Sequence, residues 1–179
     1  MRKYIALLRG INLGSHHKIL MADLRTNFVK AGYSDPKTYI QTGNVVFEAE
    51  VLDLAILSDQ IQQQILADFG FEVPVLVLLA EQIQTLLLKN PFLNISKAKP
   101  EYLHITFLKE EPKPCLIEKI QAFESSPDQF QNMNKVVFVY CPRAYRETKL
   151  GNTFFEKQLK VQASTRTWKT VLKLSEMLE

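Results

Sequence analysis

The residues best suited to binding a ligand lie in one glycine-rich stretch near the N-terminus. Arg9, Gly10, Asn12 and Gly14 fall within six positions, and Lys18 follows. Glycine allows the backbone to approach a ligand closely, and the other three side chains can donate charge-assisted hydrogen bonds to phosphate or carboxylate. We therefore predict that these five residues contact an anionic ligand. The alternative is a tight strand-to-helix loop in which Arg9 and Asn12 only hold the backbone in place, and the spacing matches neither Walker A nor GxGxxG.

A second candidate is a basic run in the C-terminal half. Arg146 and Lys149 lie close to Arg143 and Tyr145. Cations and an aromatic ring together can bind a polyanion through phosphate contacts and stacking. We predict Arg146 and Lys149 as ligand contacts, and the alternative is a solvated basic loop.

The third candidate begins the last predicted helix. Ser164 or Thr165 is suited to cap that helix. Arg166 and Lys169 then fall near its start, where the helix dipole disfavours cations, and a bound anion would offset the conflict. Arg166 and Trp168 are therefore predicted ligand contacts. The alternative is that Trp168 packs in the core while the cations point away.

Gln41–Asn44 predicts a hairpin turn, because glycine followed by asparagine suits a primed or bulged turn. In a βαββαβ unit we expect the loop after the first strand and the hairpin between the second and third strands to lie at opposite ends of the sheet. The turn and the Gly10–Lys18 stretch are therefore not expected to share one site in the first half.

Patterns for catalysis or metal binding are sparse. His16 and His17 are adjacent, so they cannot easily face one site, and His104 lies in a predicted strand, where a structural role is expected. No Ser-His-Asp order or metal-ligand spacing can be identified. Cys115 and Cys141 lack CxxC spacing and a nearby histidine, which predicts buried reduced thiols. We expect no cofactor and no metal.

The composition is that of a soluble globular protein, with 46% hydrophobic and 23% charged residues among 179. No apolar run is long enough to span a membrane, and Arg9 interrupts the N-terminal one too early for a signal peptide. We expect a cytoplasmic protein. Residues 1–96 carry a formal charge of −1 (8 basic, 9 acidic) and residues 97–179 carry +4 (14 basic, 10 acidic), so a basic surface is expected on the second half.

Periodicity and turn residues predict the same element order twice. In the first half we expect strands at 3–9, 37–41, 44–48 and 73–79 and helices at 21–32, 53–69 and 81–88. In the second half we expect strands at 102–109, 128–131, 135–141 and, very short, 161–163, with helices at 116–123, 152–160 and 167–178.

This order predicts an α+β fold of two tandem ferredoxin-like βαββαβ units, each with an appended helix. Both sheets would be antiparallel with helices on one face. The expected domains are a first half at 1–93, a linker at 94–100 and a second half at 101–179 that includes the C-terminal helix.

Several motifs resemble one family along nearly the whole chain. They are Leu7–Gly14, Met21–Arg25, Thr38–Phe47, Phe69–Phe71, Val73–Val75, Asn90–Phe92, Lys149–Leu150 and Thr165–Val171. The chain is similar to the domain-of-unknown-function 1697 family of mostly bacterial proteins. The resemblance implies an α+β fold and a cytosolic protein, and it implies no activity. Thr167 stands where that family usually has Asn before the Trp, and Arg146–Thr148 differs from its usual Gly-Arg-Ser.

Three functions remain open from the sequence. The first is a module that binds an anionic ligand, either nucleic acid or a phosphorylated small molecule, and we favour it. The second is an enzyme acting on a phosphorylated or carboxylate substrate in a cleft between the halves. The third is a structural or protein-interaction domain with an exposed apolar sheet face. We expect no membrane partner, and the oligomeric state is left open.

Overall fold

The computed structural model describes residues 1–50, 53–95 and 99–179. The chain divides into two compact units, residues 1–85 with 174–179 and residues 86–173. Within the described residues, no helix is long and apolar enough to cross a membrane. The predicted boundaries after residues 93 and 100 stay predictions, and the predicted linker includes residues 96–98, which lie outside the described residues.

The first unit contains a four-stranded antiparallel sheet with strand order β2-β3-β1-β4. The elements in chain order are β1 (Arg2–Leu8), α1 (Met21–Lys30), β2 (Ser34–Tyr39), β3 (Asn44–Ala49), α2 (Leu54–Phe69) and β4 (Val75–Leu79), followed by α3 (Ala80–Lys89). Both β3 and β4 run antiparallel to the central strand β1. Both strands therefore begin where β1 ends.

Local sequence accounts for α2 well. The Asp53 carboxylate accepts hydrogen bonds from two N–H groups of the first turn, and Gly70 ends the helix with a φ of 77°. Leu57, Ile61 and Ile65 recur every four residues, so they share one face and are buried against the sheet. The predicted helix at 53–69 is confirmed.

Aromatic rings fill the centre of this core. The ring centroid of Phe47 lies 5.7 Å from that of Tyr4, 5.2 Å from that of Phe28 and 5.0 Å from that of Tyr33. Aromatic pairs of this kind stabilise a core by about 0.5–1.5 kcal/mol each beyond the area they bury. The packing holds both α1 and the start of β2 on the sheet.

The second unit repeats the plan with strand order β6-β7-β5-β8. The elements are β5 (Leu103–Leu108), α4 (Pro114–Gln121), β6 (Gln129–Met133), β7 (Val136–Tyr140), α5 (Asn152–Leu159) and β8 (Ala163–Thr167), followed by α6 (Trp168–Glu176). Its helix-facing core contains Val137, Phe155 and Leu159. The predicted α+β fold of two tandem four-stranded units is confirmed.

Two local predictions in this unit were wrong. Residues 164–167 lie in β8 and do not begin the last helix, because Ser164 to Thr167 pair with β5 and the β-branched threonines suit a strand. The hydroxyl of Thr167, and not that of Ser164 or Thr165, accepts the N–H of Thr170 at the start of α6. Cys115 is exposed on α4, and only Cys141 is buried.

Candidate functional site

Three connections of the first unit meet at the end of β1. The N–H of Leu8 donates to Gly43 O at 2.7 Å, and the N–H of Arg9 donates to Pro74 O at 2.9 Å. These contacts join the β1–α1 loop (9–20) to the β2–β3 turn and to the α2–β4 connection. We call this region the loop end of the first unit, comprising residues 9–20, 40–43 and 70–74.

The expectation that the β1–α1 loop and the hairpin turn lie at opposite ends of the sheet was wrong. The crossover through α1 makes β2 parallel to β1, and β3 is antiparallel to both. The turn that joins β2 to β3 therefore lies beside the end of β1. The Gly10–Lys18 stretch and the Gln41–Asn44 turn can share one site after all.

Asn12 holds the loop end together. Its Nδ2 donates to Ile19 O and to Gln41 O, both at 2.9 Å, and its Oδ1 accepts the N–H of Ile19 at 3.0 Å. Its own N–H donates to His17 O at 3.0 Å, and its φ of 56° is one that asparagine tolerates better than most residues. Asn12 thus closes its own loop and ties that loop to the neighbouring turn.

Gly43 lets the turn approach β1. A Cβ at this position would lie 2.6 Å from the Cβ of Leu8, and the backbone has a φ of 83°. Both facts require glycine. The next residue, Asn44, is fully buried. Its Nδ2 donates to Tyr39 O at 3.1 Å and to Thr42 Oγ1 at 3.2 Å, and these two hydrogen bonds stabilise the turn.

The loop end also concentrates unfavourable backbone conformations. His17 and Ile40 both have a φ of 49°. A positive φ is rare for a β-branched residue such as Ile40, and conformations of this kind cost about 1–3 kcal/mol each and cluster at functional sites. The hydrogen bond from the N–H of Asn12 to His17 O helps to maintain the conformation of His17.

The outward side of the loop end is part basic and part apolar. Lys18 and His16 are exposed and Arg9 is half-buried. Leu13 and Leu20 are 64% and 72% exposed, and Ile40 is 47% exposed. The loop end thus exposes three large apolar side chains in addition to its cations.

His17 and Phe71 form the aromatic part of this surface. Their ring planes are 14° from parallel, with centroids 4.6 Å apart. Sequence reasoning missed Phe71, Leu20 and Ile40 as site residues. The turn that contains Ile40 was excluded from the predicted site because it was expected at the opposite end of the sheet.

The remaining predicted contacts lie in the second unit. Arg146 and Lys149 are exposed in the segment after β7, and Arg146 Nε lies 3.8 Å from Glu147 Oε1. Arg166 is buried in β8, where its guanidinium donates to Ser164 Oγ at 2.9 Å and to Thr165 O at 3.0 Å. Burial lowers the pKa of Arg166 to about 10. Trp168 is 5% exposed.

Arg166 and Trp168 are therefore placed as interior residues, and their role as ligand contacts stays a prediction. Across the described parts of the chain, no group of three His, Cys, Asp or Glu side chains is arranged to hold a metal ion.

Comparisons with known proteins give a family and a fold. The family model described as a protein of unknown function (DUF1697) matches residues 1–138. No curated protein matches the chain. The solved structure of the conserved bacterial protein SP0830 from Streptococcus pneumoniae aligns with 99% of this chain and 99% of its own at a TM-score of 0.75 and 21% identity, which supports the fold. The chain belongs to the DUF1697 family of proteins of unknown function.

Proposed function

We propose that the protein is a binding module whose loop end of the first unit takes an anionic ligand. The observation that carries the proposal is the bracing of three connections by Asn12, which leaves Arg9, Lys18 and the exposed apolar side chains on a fixed frame. A site that is ordered before binding loses less conformational entropy when the ligand arrives.

The charges of this region favour an anion. The β1–α1 loop carries Arg9 and Lys18 with two histidines and no acidic residue, and the β2–β3 turn is uncharged. Glu72 in the α2–β4 connection is the one carboxylate in the three segments. Arg and Lys at such a surface recognise phosphate through charge-assisted hydrogen bonds.

The apolar and aromatic groups narrow the class of ligand. Leu13, Leu20 and Ile40 offer exposed apolar area, and the His17–Phe71 pair offers a ring face. Nucleotides combine phosphate with a planar base that stacks on such faces. A nucleotide unit, free or within a single strand, meets both requirements.

The third alternative from the sequence, an interaction domain, requires an exposed apolar sheet face. On the central strands, the residues of the face opposite the helix-packed core are buried instead, including Ile5 and Leu7 in the first sheet and Ile105 and Phe107 in the second. This observation favours the binding module over docking through an open sheet.

The proposal is tested by titrating the purified protein with a short single-stranded oligonucleotide and with a mononucleotide, using calorimetry at two salt concentrations. We expect Arg9→Ala and Lys18→Ala each to weaken binding about tenfold, the size expected for a charge-assisted hydrogen bond. The matched control is Lys109→Ala, because Lys109 follows β5 as Arg9 follows β1. Equal weakening in all three variants would mean only non-specific attraction to a basic protein, and no binding to either probe would refute the proposal.

A further inference from the structure

The two sheets differ at the edge formed by the first strand of the hairpin. This strand, β2 in one unit and β6 in the other, pairs with its neighbour on one side, and within the described residues no strand pairs with its other side. The N–H and C=O groups on the outer side of such a strand are a template for a further strand. The strands at the opposite edges, β4 and β8, consist mostly of buried residues. The accessible edges are therefore β2 and β6.

Strand β2 is protected against the addition of a further strand. Pro36 has no N–H to donate, and its neighbours Asp35 and Lys37 form an exposed ion pair with 2.7 Å between Oδ2 and Nζ. The pairing of β2 with β3 also shifts register between Ser34 and Lys37. Charges, proline and an irregular register are features by which proteins prevent other chains from pairing with an edge strand.

Strand β6 has none of these protective features. Its sequence is Gln-Phe-Gln-Asn-Met, without a charge or a proline. It pairs with β7 in one unbroken register from Gln129 to Met133, and both Gln129 and Gln131 are exposed. This difference marks β6 as the edge that is open to a partner strand.

A cavity of about 580 Å³ lies at the start of β6. It is lined by residues 121 and 123–130, which include the first two residues of the strand. The rings of Phe123 and Phe130 form part of the wall, and they pack against phenylalanine rings of α5 at centroid distances of 4.6 and 5.8 Å. A volume of this size is within the range of ligand cavities, so it can hold one long side chain.

The charge of this cavity is negative. Glu124 and Asp128 line it, and none of the described residues that line it is basic. Residues 97–179 carry a formal charge of +4, so the cavity is opposite in sign to the half of the chain that contains it. A cation inside it would lie among carboxylates and aromatic rings, and both attract ammonium and guanidinium groups.

Hydrogen bonds order the cavity wall before any ligand arrives. The N–H of Asp128 donates to Ser125 O, and Ser125 Oγ donates to Asp128 O, both at 2.8 Å. Thr148 Oγ1 donates to Asp128 Oδ2 at 2.6 Å, and the N–H of Ser126 donates to Glu124 Oε1 at 3.0 Å. Glu124 is exposed and has lone pairs beyond the one that Ser126 uses, so it can accept a hydrogen bond from a cation.

We propose that the outer edge of β6 and this cavity together bind an extended peptide segment that carries a lysine or an arginine. The peptide main chain would add to β6 as a fifth strand of the second sheet. The basic side chain would enter the cavity, where Glu124 accepts its hydrogen bond and Asp128 contributes its charge. Strand addition of this kind takes its affinity from main-chain hydrogen bonds and its specificity from a side-chain pocket. The site does not depend on the proposed anion site of the first unit.

The test is fluorescence anisotropy of the full chain with a labelled peptide of alternating threonine and valine around a central arginine. We expect this peptide to bind about tenfold more tightly than the same peptide with a central glutamate, because the cavity selects for a cation. Equal affinity of the two peptides, or no binding of the arginine peptide, would overturn the proposal.

Methylated peptides test the strand addition itself. Alternate amide groups of an extended peptide point to opposite sides, so methylating one set of nitrogens should abolish binding, and methylating the other set should leave it unchanged. If both methylated peptides bind as tightly as the parent, no strand is added and the proposal is overturned.

Glu124→Gln tests the cavity, because it removes the charge and keeps an oxygen that can accept the N–H of Ser126. We expect about a tenfold loss of affinity for the arginine peptide. The matched control is Glu118→Gln, which removes the same charge from an exposed position on α4 outside the cavity wall and should leave the affinity unchanged. Equal losses in the two variants would reduce the effect to overall charge and overturn the proposal. A loss in Arg9→Ala would place the peptide in the first unit and overturn it as well.

Discussion

The two units have the same strand order, but the loops that follow their central strands differ greatly in length. Leu8 and Leu108 end equivalent central strands, and each donates its N–H to the turn of the neighbouring hairpin, at 2.7 and 2.8 Å. Residues 9–20 then connect β1 to α1, whereas residues 109–113 are enough to connect β5 to α4. The short loop shows what the fold requires. The additional residues of the long loop, with their strained backbone and exposed side chains, belong to the ligand site that we propose.

The two units also differ in the composition of the strand that follows their second helix, and here the second unit is the more polar one. Strand β4 is Val-Leu-Val-Leu-Leu, and its counterpart β8 is Ala-Ser-Thr-Arg-Thr. The first unit thus combines an apolar strand with a long β1–α1 loop. The second unit combines a polar strand with a short β5–α4 loop. In a repeated fold, the positions where the units depart from each other are where function is best sought.

The largest expected effect comes from Gly43→Ala. The added Cβ would lie 2.6 Å from the Cβ of Leu8 at a positive φ, so we expect a loss of about 3 kcal/mol in unfolding free energy, from both overpacking and backbone strain. Urea unfolding measures it. Gly10→Ala is the control, because Gly10 also has a positive φ but nothing lies within 4 Å of its added Cβ; strain alone should cost it about 1 kcal/mol. Equal losses would mean that the turn does not pack closely on β1.

Asn12→Ala should come next. It removes three side-chain hydrogen bonds and a residue suited to positive φ, so we expect a loss of about 2 kcal/mol together with fast amide exchange in residues 13–19. Hydrogen exchange followed by mass spectrometry reports it. Asn134→Ala at a positive φ in the other unit is the matched control and should leave exchange in 13–19 unchanged. An ordered loop in Asn12→Ala would contradict the bracing role.

Exchanging Val77 and Thr165 tests the contrast in the cores. Val77→Thr places a hydroxyl in an apolar core, and Thr165→Val leaves Thr106 and Asn152 without their shared partner, so each should cost about 1–2 kcal/mol. Thr106→Val together with Thr165→Val should recover part of the second loss, because both hydroxyl groups are then gone. Thermal unfolding measures the stability of the single and double variants and ranks them. A double variant less stable than Thr165→Val would show that the hydrogen bond between Thr106 and Thr165 does not account for the loss.

The smallest effect is a pH dependence. Burial holds the pKa of His104 below its ordinary value of about 6.5. Above that pH the imidazole is neutral in both the folded and unfolded states; as the pH falls below it, the unfolded state binds the proton first, so stability is lost. His104→Tyr, which copies Tyr4 of the first unit, should remove that part of the loss between pH 6.5 and 5. Identical profiles for the variant and the unaltered protein would argue against a buried neutral histidine.

Much of the fold could be predicted from the sequence, because local signals and tertiary packing agree there. Asp53 and Gly70 mark the ends of α2, and the four-residue spacing of Leu57, Ile61 and Ile65 marks its buried face. Pairing overrides local signals in β8. Ser164 and Thr165 are good capping residues, yet their backbone completes the ladder with β5.

The site was predictable only in part. The role of Asn12 as a brace was the stated alternative to ligand contact, and its hydrogen bonds support the bracing role. The prediction that the turn at residues 40–43 lies far from the β1–α1 loop was wrong, because the crossover through α1 makes β2 parallel to β1. The hydrogen bonds that connect Thr106, Thr165 and Asn152 join residues far apart in the chain, and no spacing in the sequence indicates them.

The most direct test of the central claim is a titration of isotopically labelled protein with the oligonucleotide and the mononucleotide, followed by two-dimensional NMR. The amide shifts that move define the binding surface. We expect them to cluster in residues 9–20, 40–43 and 70–74 and to disappear in Arg9→Ala. Shifts confined to residues 143–153, or scattered over the exposed lysines, would contradict the assignment of the anion site to the loop end of the first unit.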